Sequence, residues 1–311
     1  MRLTRKFVLL CGVLGLVAGL AVSWIAGSFM VRGEPSPVLP ARAGDFRIRT
    51  PDGLTLAATY WPGPRPDSPA ILLLHGVKAS RASTAPMAVW LHGLGYAALT
   101  IDFRGHGESD MAERSFGLRE STDARAAFDW LKRRQSGAPV AVIGNSLGGA
   151  AALLGPSGPL PADALILQAV YPDIRRAIRN RIADRFGAAP AWLLEPLLSF
   201  QSKPRFGIMP RAVSPLEALR RYPGPVFVLG GGEDRYTPPE ETRALFDAAP
   251  GAKSLWLVPG RGHGAMGELT DEAYRGRVRR FLEGTIGPPP AFPLAGGNGS
   301  TAQAPADRRK R

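Results

Sequence analysis

The chain has 311 residues, 45% apolar and 21% charged, which suits one large α/β domain with terminal extensions and excludes a fibre or a wholly disordered chain. Its single cysteine, Cys11, lies in an apolar N-terminal run, which excludes intrachain disulfides and a cysteine-based metal site. A net charge of +13 raises nucleic-acid binding, but 33 of the 39 basic residues are arginines spread along the chain, without a nucleic-acid motif or interleaved aromatics.

Nucleic acid is therefore set aside as a partner. Contact with an anionic membrane surface stays open, because basic residues do cluster at 175–185 and at the terminal Arg308-Arg309-Lys310-Arg311.

Residues 1–31 read as one unit. Arg2, Arg5 and Lys6 precede 25 residues, 7–31, without a charge. At about 1.5 Å per residue such a helix crosses the roughly 30 Å hydrocarbon core, so the expectation is a single-pass membrane helix. The rival is a cleavable signal segment ending near Ala21-Val22-Ser23. Apolar residues continue through Trp24, Ile25, Phe29, Met30 and Val31, which a leader does not need. The slight excess of N-terminal cations over Arg32 and Arg42 favours a cytoplasmic N-terminus and an extracytoplasmic domain, which is secreted if the segment is cleaved.

Residues 32–44, with Pro35, Pro37 and Pro40, read as a stiff linker. The folded domain is expected over 45–284. Alternating residues at 45–50 and 54–61 flank Pro51-Asp52-Gly53, an antiparallel hairpin signal. Strand and helix patterns then take turns: strand 70–74, helix 84–93, strand 96–102, helix 122–134 after a Ser121-Thr122-Asp123 cap signal, strand 139–144, a helix opening at Ser146, and strand 164–169. Later come strands 226–229 and 254–258 and a closing helix over about 270–282. This alternation predicts a mostly parallel, eight-stranded sheet with helices on both faces.

Roughly fifty residues between strands 164–169 and 226–229 exceed one crossover helix and predict a small cap insertion at about 175–222. Leu193, Leu194, Leu197, Leu198 and Phe200 give it apolar surface, and Arg175, Arg176, Arg179, Arg181 and Arg185 a basic segment. Residues 285–311, rich in Pro, Gly and Ala, read as a disordered tail.

Gly144-Asn145-Ser146-Leu147-Gly148 stands between an apolar strand and a small-residue helix start. A nucleophile on that tight turn needs a strained backbone, with glycines on either side to let neighbouring chains approach. A serine hydroxyl also needs a base, and the base an orienting acid. Of four histidines, His92 falls within a helix and His75 and His106 lie upstream at strand ends. His263, in the glycine loop Gly260-Arg261-Gly262-His263-Gly264 after the last strand, is the expected base. Asp234 follows strand 226–229 by a few residues and is the expected acid; Glu233 is its solvated neighbour and Asp173 its main competitor.

Leu72-Leu73-Leu74-His75-Gly76, Asp102-Phe103-Arg104-Gly105-His106-Gly107-Glu108-Ser109, the serine motif, Gly232-Glu233-Asp234 and Gly262-His263-Gly264 together resemble the α/β-hydrolase superfamily, most of all its lysophospholipase-like and serine-aminopeptidase-like branch. The resemblance covers about 45–284 and implies the triad Ser146, Asp234, His263, with the amides of Val77 and Leu147 as oxyanion hole. His75, His106 and Ser109 then shape loops.

The expected function is hydrolysis of an acyl ester, small or lipid-like, through an acyl-enzyme on Ser146. An aminopeptidase-like amidase, an acyltransferase, or a non-catalytic membrane-tethered binding module are the alternatives, with a grip on anionic lipid through residues 175–185 as an added role. No metal cluster or dinucleotide fingerprint is present in the sequence, and no cofactor is expected.

Overall fold

Five consecutive apolar residues, Ala70–Leu74, form a strand with every side chain buried, the pattern of a parallel strand covered on both faces. Ala70, Leu72 and Leu74 enter one hydrophobic core and Ile71 and Leu73 the other, as period-two alternation requires. A computed structural model describes residues 2–35, 43–156, 158–266 and 271–292, and shows this strand as the third of eight.

The strands are β1 (Asp45–Arg49), β2 (Thr55–Trp61), β3 (Ala70–Leu74), β4 (Ala97–Ile101), β5 (Val140–Asn145), β6 (Ala164–Gln168), β7 (Val226–Gly231) and β8 (Lys253–Val258). They lie in the order β8-β7-β6-β5-β3-β4-β2-β1. Only β2 runs against the others, pairing antiparallel with β1 on one side and β4 on the other. Helix α1 (Arg2–Val31) precedes the sheet. Helix α2 (Arg81–Gly93), α3 (Glu120–Arg134) and α4 (Leu147–Leu153) follow β3, β4 and β5. Four helices, α5 (Ile174–Phe186), α6 (Ala188–Ser199), α7 (Ser202–Phe206) and α8 (Pro215–Leu219), separate β6 from β7. Helices α9 (Pro239–Ala248) and α10 (Glu272–Thr285) follow β7 and β8. Ala88 and Leu91 of α2 with Tyr274, Val278 and Leu282 of α10 close one face; α3, α4, α8 and α9 cover the other. The mostly parallel eight-stranded sheet with helices on both faces matches the sequence expectation.

Two local readings are corrected, and one helix was not expected. Ser121-Thr122-Asp123 does not cap α3, which begins at Glu120. Asp123 is instead fully buried and accepts from the Arg104 backbone and guanidinium. Helix α2 begins at Arg81 and not at 84, because the buried Arg81 amide and guanidinium both donate to Asp102 at the end of β4. Helix α9 carried no expectation at all.

The two connecting segments are also more ordered, where described, than their composition suggests. Within 32–44, the Glu34 amide donates to Gly105 O, and Glu34 and Pro35 pair with His106 and Gly107; residues 36–42 lie outside the described residues. Within 285–311, Tyr96 donates to Gly287 O and the Phe292 ring packs on His92, so the start of the expected disordered tail is docked. Residues 293–311 lie outside the described residues.

Helix α1 leaves most of its surface uncovered, and its Lys6–Val31 span is long and apolar enough to cross a membrane. Its last turns are different. Ser23, Gly27, Met30 and Val31 lie on one face by helical period and meet the body of the domain.

Candidate active site

Strand β5 and helix α4 meet at Ser146, whose φ of 48° and ψ of −107° are strained for a residue with a side chain. The glycines around it are required by close approach. A Cβ on Gly148 would lie 2.3 Å from Leu74 O, and one on Gly144 2.5 Å from Gly149 N. The turn therefore tightens until α4 packs against β3, and Ser146 is presented at the C-terminal edge of the parallel strands, where clefts form in such sheets.

Asp234 and His263 reach that edge from β7 and β8. Gly231 at the end of β7 has no Cβ to block the returning loop; one would lie 2.2 Å from Arg261 O. The Glu233 amide donates to that same carbonyl, at 2.9 Å, tying the His263 loop to the Asp234 turn. Asp234 is 2% exposed, and its Oδ1 accepts from the amides of Tyr236 and Thr237, both at 2.8 Å. Its Oδ2 accepts from His263 Nδ1 at 2.8 Å, and His263 Nε2 lies 3.2 Å from Ser146 Oγ. A proton on Nδ1 leaves Nε2 with a free lone pair facing the serine hydroxyl. Such an arrangement can withdraw a proton from Ser146 and return it to a leaving group.

Val77 and Leu147 line the same cavity as Ser146, a tight space of about 40 Å³, far below the roughly 300–1,000 Å³ range of ligand pockets. Among the described residues neither amide donates to a protein acceptor. The Val77 amide is aimed indirectly. Gly76 O accepts from His75 Nδ1 at 2.7 Å and from the Ala79 amide at 3.3 Å, and a trans peptide turns the Val77 N–H the opposite way.

His75 is therefore a positioning residue. It is fully buried, accepts from the Phe103 amide on Nε2 at 3.1 Å, and burial pushes its imidazole down to about 3, so the ring stays neutral. His106 donates from Nδ1 to Arg104 O, and the Ser109 hydroxyl links Asp102 O to the Ala57 amide; both hold the loop after β4. Asp173 accepts from the Arg176 amide at the start of α5 and takes no part in the Ser146 cluster; Glu233 is exposed.

The basic segment is only partly ion-paired: two carboxylates serve three of its five arginines. Arg175 and Arg179 both pair with Glu195, which is 1% exposed, and Arg176 pairs with Asp173. Arg181 turns into the Ser146 cavity and stacks on Tyr236 at 4.9 Å. Arg185, near the end of the segment, is exposed. The remaining cavity wall, Met30, Phe116, Tyr171, Ile174, Ala177 and Ile178, escaped the sequence reading. Among the described residues, no group of three His, Cys, Asp or Glu is placed to hold a metal ion.

Comparisons with known proteins agree with this architecture. The chain is 32% identical over 253 residues to an uncharacterized protein of Mycobacterium tuberculosis, Rv2307c, covering 80% of this chain and 82% of that one. It is 26% identical to YqkD of Bacillus subtilis, over 72% of this chain and 74% of that protein. It is 29% identical to the lysophosphatidylserine lipase ABHD12 of Rattus norvegicus, over 60% of this chain and 47% of the lipase. In three dimensions it superposes on the Pyrococcus furiosus esterase Pf2001 with a TM-score of 0.66, covering 82% of this chain and 99% of the esterase at 21% identity, which speaks for the fold alone. The model of the Alpha/beta hydrolase family matches residues 71–275, from β3 through the Ser146, Asp234 and His263 turns to the start of α10, and the chain belongs to that family.

Proposed function

We propose that this hydrolase is a membrane-held serine esterase that cleaves acyl esters of lipid-like character through an acyl-enzyme on Ser146. The observation that carries the reading is the continuous contact from Asp234 Oδ2 to His263 Nδ1 at 2.8 Å and from His263 Nε2 to Ser146 Oγ at 3.2 Å. His263 Nε2 takes the hydroxyl proton as Ser146 Oγ attacks the ester carbonyl carbon. The carbonyl oxygen becomes an oxyanion, held by the amides of Val77 and Leu147. Collapse breaks the bond to the alcohol oxygen, which leaves with the proton from His263. Water then gives a proton to His263, attacks the acyl carbon and releases the acid, and the proton returns to Ser146 Oγ. Asp234 holds the imidazole in the reactive tautomer throughout. No step draws on a metal or an organic cofactor.

Two observations favour a lipid-like ester. Apart from Arg181 the cavity wall around Ser146 is mostly apolar, and the Lys6–Val31 helix of 26 residues, about 39 Å long, exceeds the roughly 30 Å hydrocarbon core. Ester cleavage is also the chemistry named for the lipase relatives. With the charge bias of α1, the catalytic domain faces away from the cytoplasm.

The test is labelling of the detergent-solubilised chain with a fluorophosphonate probe, beside hydrolysis of p-nitrophenyl esters. Wild type is labelled and active, and Ser146→Ala loses both. Full esterase activity in Ser146→Ala, or a folded wild type that takes no probe, overturns the reading.

A further inference from the structure

The last two turns of α1 are built into the domain. Gly27 lies so close to the junction of α6 and α7 that a Cβ would fall 2.0 Å from Gln201 Oε1. Gln201 Nε2 donates to Ser23 O at 2.9 Å, and the Ser23 hydroxyl donates to Leu197 O at 2.8 Å. Arg205 donates to Trp24 O and Ser28 Oγ, at 2.9 and 2.8 Å, and its guanidinium stacks on Trp24 at 3.9 Å. From the other side the Arg114 amide donates to Val31 O at 2.7 Å. An otherwise apolar helix is thus clamped between the α6–α7 corner and the loop that follows β4.

The clamp fixes Met30. This side chain lines the Ser146 cavity and also a neighbouring narrow groove of about 40 Å³. Phe116, Ile174 and Ile178 are shared by the two spaces in the same way, so they adjoin along one apolar wall. The groove runs on past Gly27, Leu198 and Phe206, between α1 and the α6–α7 corner. Phe116 is held rigidly there. It sits at φ 55°, with Glu120 accepting from the Ser115 and Gly117 amides on either side and the Tyr171 hydroxyl donating to its carbonyl. Beyond the groove, Trp192, Leu193 and Phe200 of the α6 region stand exposed, and α1 itself is largely bare. An apolar track therefore runs from the nucleophile to the seam between two lipophilic surfaces.

We propose that α1 is a wall of the acyl-chain site: the chain of the scissile ester leaves Ser146 past Met30 and runs along α1, between it and α5–α7, toward the bilayer. The proposal rests on the esterase reading and adds to it which element sets chain-length preference. Met30 is its specificity-determining residue and Gly27 the point of closest approach. The helix would then supply part of the substrate site besides holding the enzyme at the membrane.

Two measurements on the full chain in detergent test this. In the first, Met30→Trp fills the passage. The ratio of kcat/KM for p-nitrophenyl dodecanoate to that for the acetate falls by about tenfold for every two methylenes shut out, whatever happens to acetate hydrolysis itself. Met30→Leu, close to methionine in volume, keeps the wild-type ratio. A Met30→Trp protein that loses acetate and dodecanoate hydrolysis equally, or neither, overturns the proposal. In the second, wild type is labelled on Ser146 with a long-chain alkyl fluorophosphonate carrying a terminal diazirine, photolysed and digested. Crosslinks on residues 23–31, or on Leu198 and Phe206 facing them, support the track; crosslinks confined elsewhere sink it. Failure of wild type to take the probe or cleave any ester defeats the parent reading instead, which keeps the two failures distinguishable.

Discussion

Replacing Asp234 by asparagine tests the proton relay at one atom. Two backbone amides, Tyr236 and Thr237, both donate to Oδ1. In Asp234→Asn that position must hold the carbonyl oxygen, because an NH2 group there would face two donors. The amide nitrogen is then forced into the place of Oδ2, 2.8 Å from His263 Nδ1. It donates, so Nδ1 must accept and the ring proton moves to Nε2, the atom facing Ser146 Oγ. Every hydrogen bond survives with the imidazole in the wrong tautomer. We expect kcat/KM for a short-chain ester to fall on the order of 10,000-fold, about 5 kcal/mol of transition-state stabilisation, with the melting temperature close to wild type. Asp234→Ala instead leaves two buried amides without an acceptor, at about 1–3 kcal/mol each, and is unstable as well as inactive. Steady-state esterase kinetics and thermal melting of the three proteins side by side are the assay. An asparagine variant within tenfold of wild type would refute the tautomer argument.

Three further outcomes follow from the same geometry. Gly148→Ala places a methyl 2.3 Å from Leu74 O, a backbone atom with nowhere to go, so we expect a loss of about 1–3 kcal/mol in denaturant unfolding and a displaced nucleophile; unchanged stability would contradict the close-approach argument. Glu195→Gln leaves Arg175 and Arg179 facing an uncharged group at a site 1% exposed, and we expect about 1–3 kcal/mol of destabilisation, reduced because Arg175 itself is partly solvated; high salt should erase little of the difference, and an unchanged unfolding midpoint counts against it. Burial lowers the His75 imidazole from 6.5 to about 3, so between those values the unfolded chain binds a proton that the folded chain refuses; stability is full above about pH 6.5 and falls as pH drops toward 3. Asp123, raised by burial to about 6, opposes this over part of the range, so the diagnostic is the comparison: His75→Asn should show a shallower acid-side decline in melting temperature, and an equal slope would reject the assignment.

Much of the sheet and the Ser146 cluster was legible because both depend on features the chain carries locally. Strands covered on two faces need unbroken apolar runs, and Ala70–Leu74 and Val140–Asn145 supply them. The glycines of the serine turn and at the end of β7 stand out because backbone passes within contact distance at Gly148 and Gly231. What escaped was set by partners distant in sequence. Helix α2 starts three residues early because Arg81 meets Asp102 and Glu108, and nothing around Arg81 announces that. Asp123 resembles a cap residue, but its partner is Arg104. Helix α9 begins at Pro239 after Thr237-Pro238, and the paired prolines read as loop although a proline in the first turn is a helix start.

The same distinction bears on the membrane argument itself. Continued apolar sequence through residues 24–31 favours a retained helix over a cleaved leader only if those residues face lipid. The structure divides them. Gly27, Met30 and Val31 are turned to the domain, and the Ser23–Gln201 bond that holds them joins residues 178 apart, beyond the reach of any periodicity. Their apolar character is explained by packing and says nothing about lipid. Ile25 and Phe29, 57% and 66% exposed on the outer side of the same turns, have no such explanation. A cleaved and secreted domain would carry both as bare surface, whereas a retained helix buries them in hydrocarbon. The case for a membrane-held enzyme therefore narrows from an eight-residue extension to these two side chains and the uncovered span before them. Ile25→Ser with Phe29→Ser should accordingly weaken membrane retention while leaving the Gln201 clamp and the Met30 wall in place.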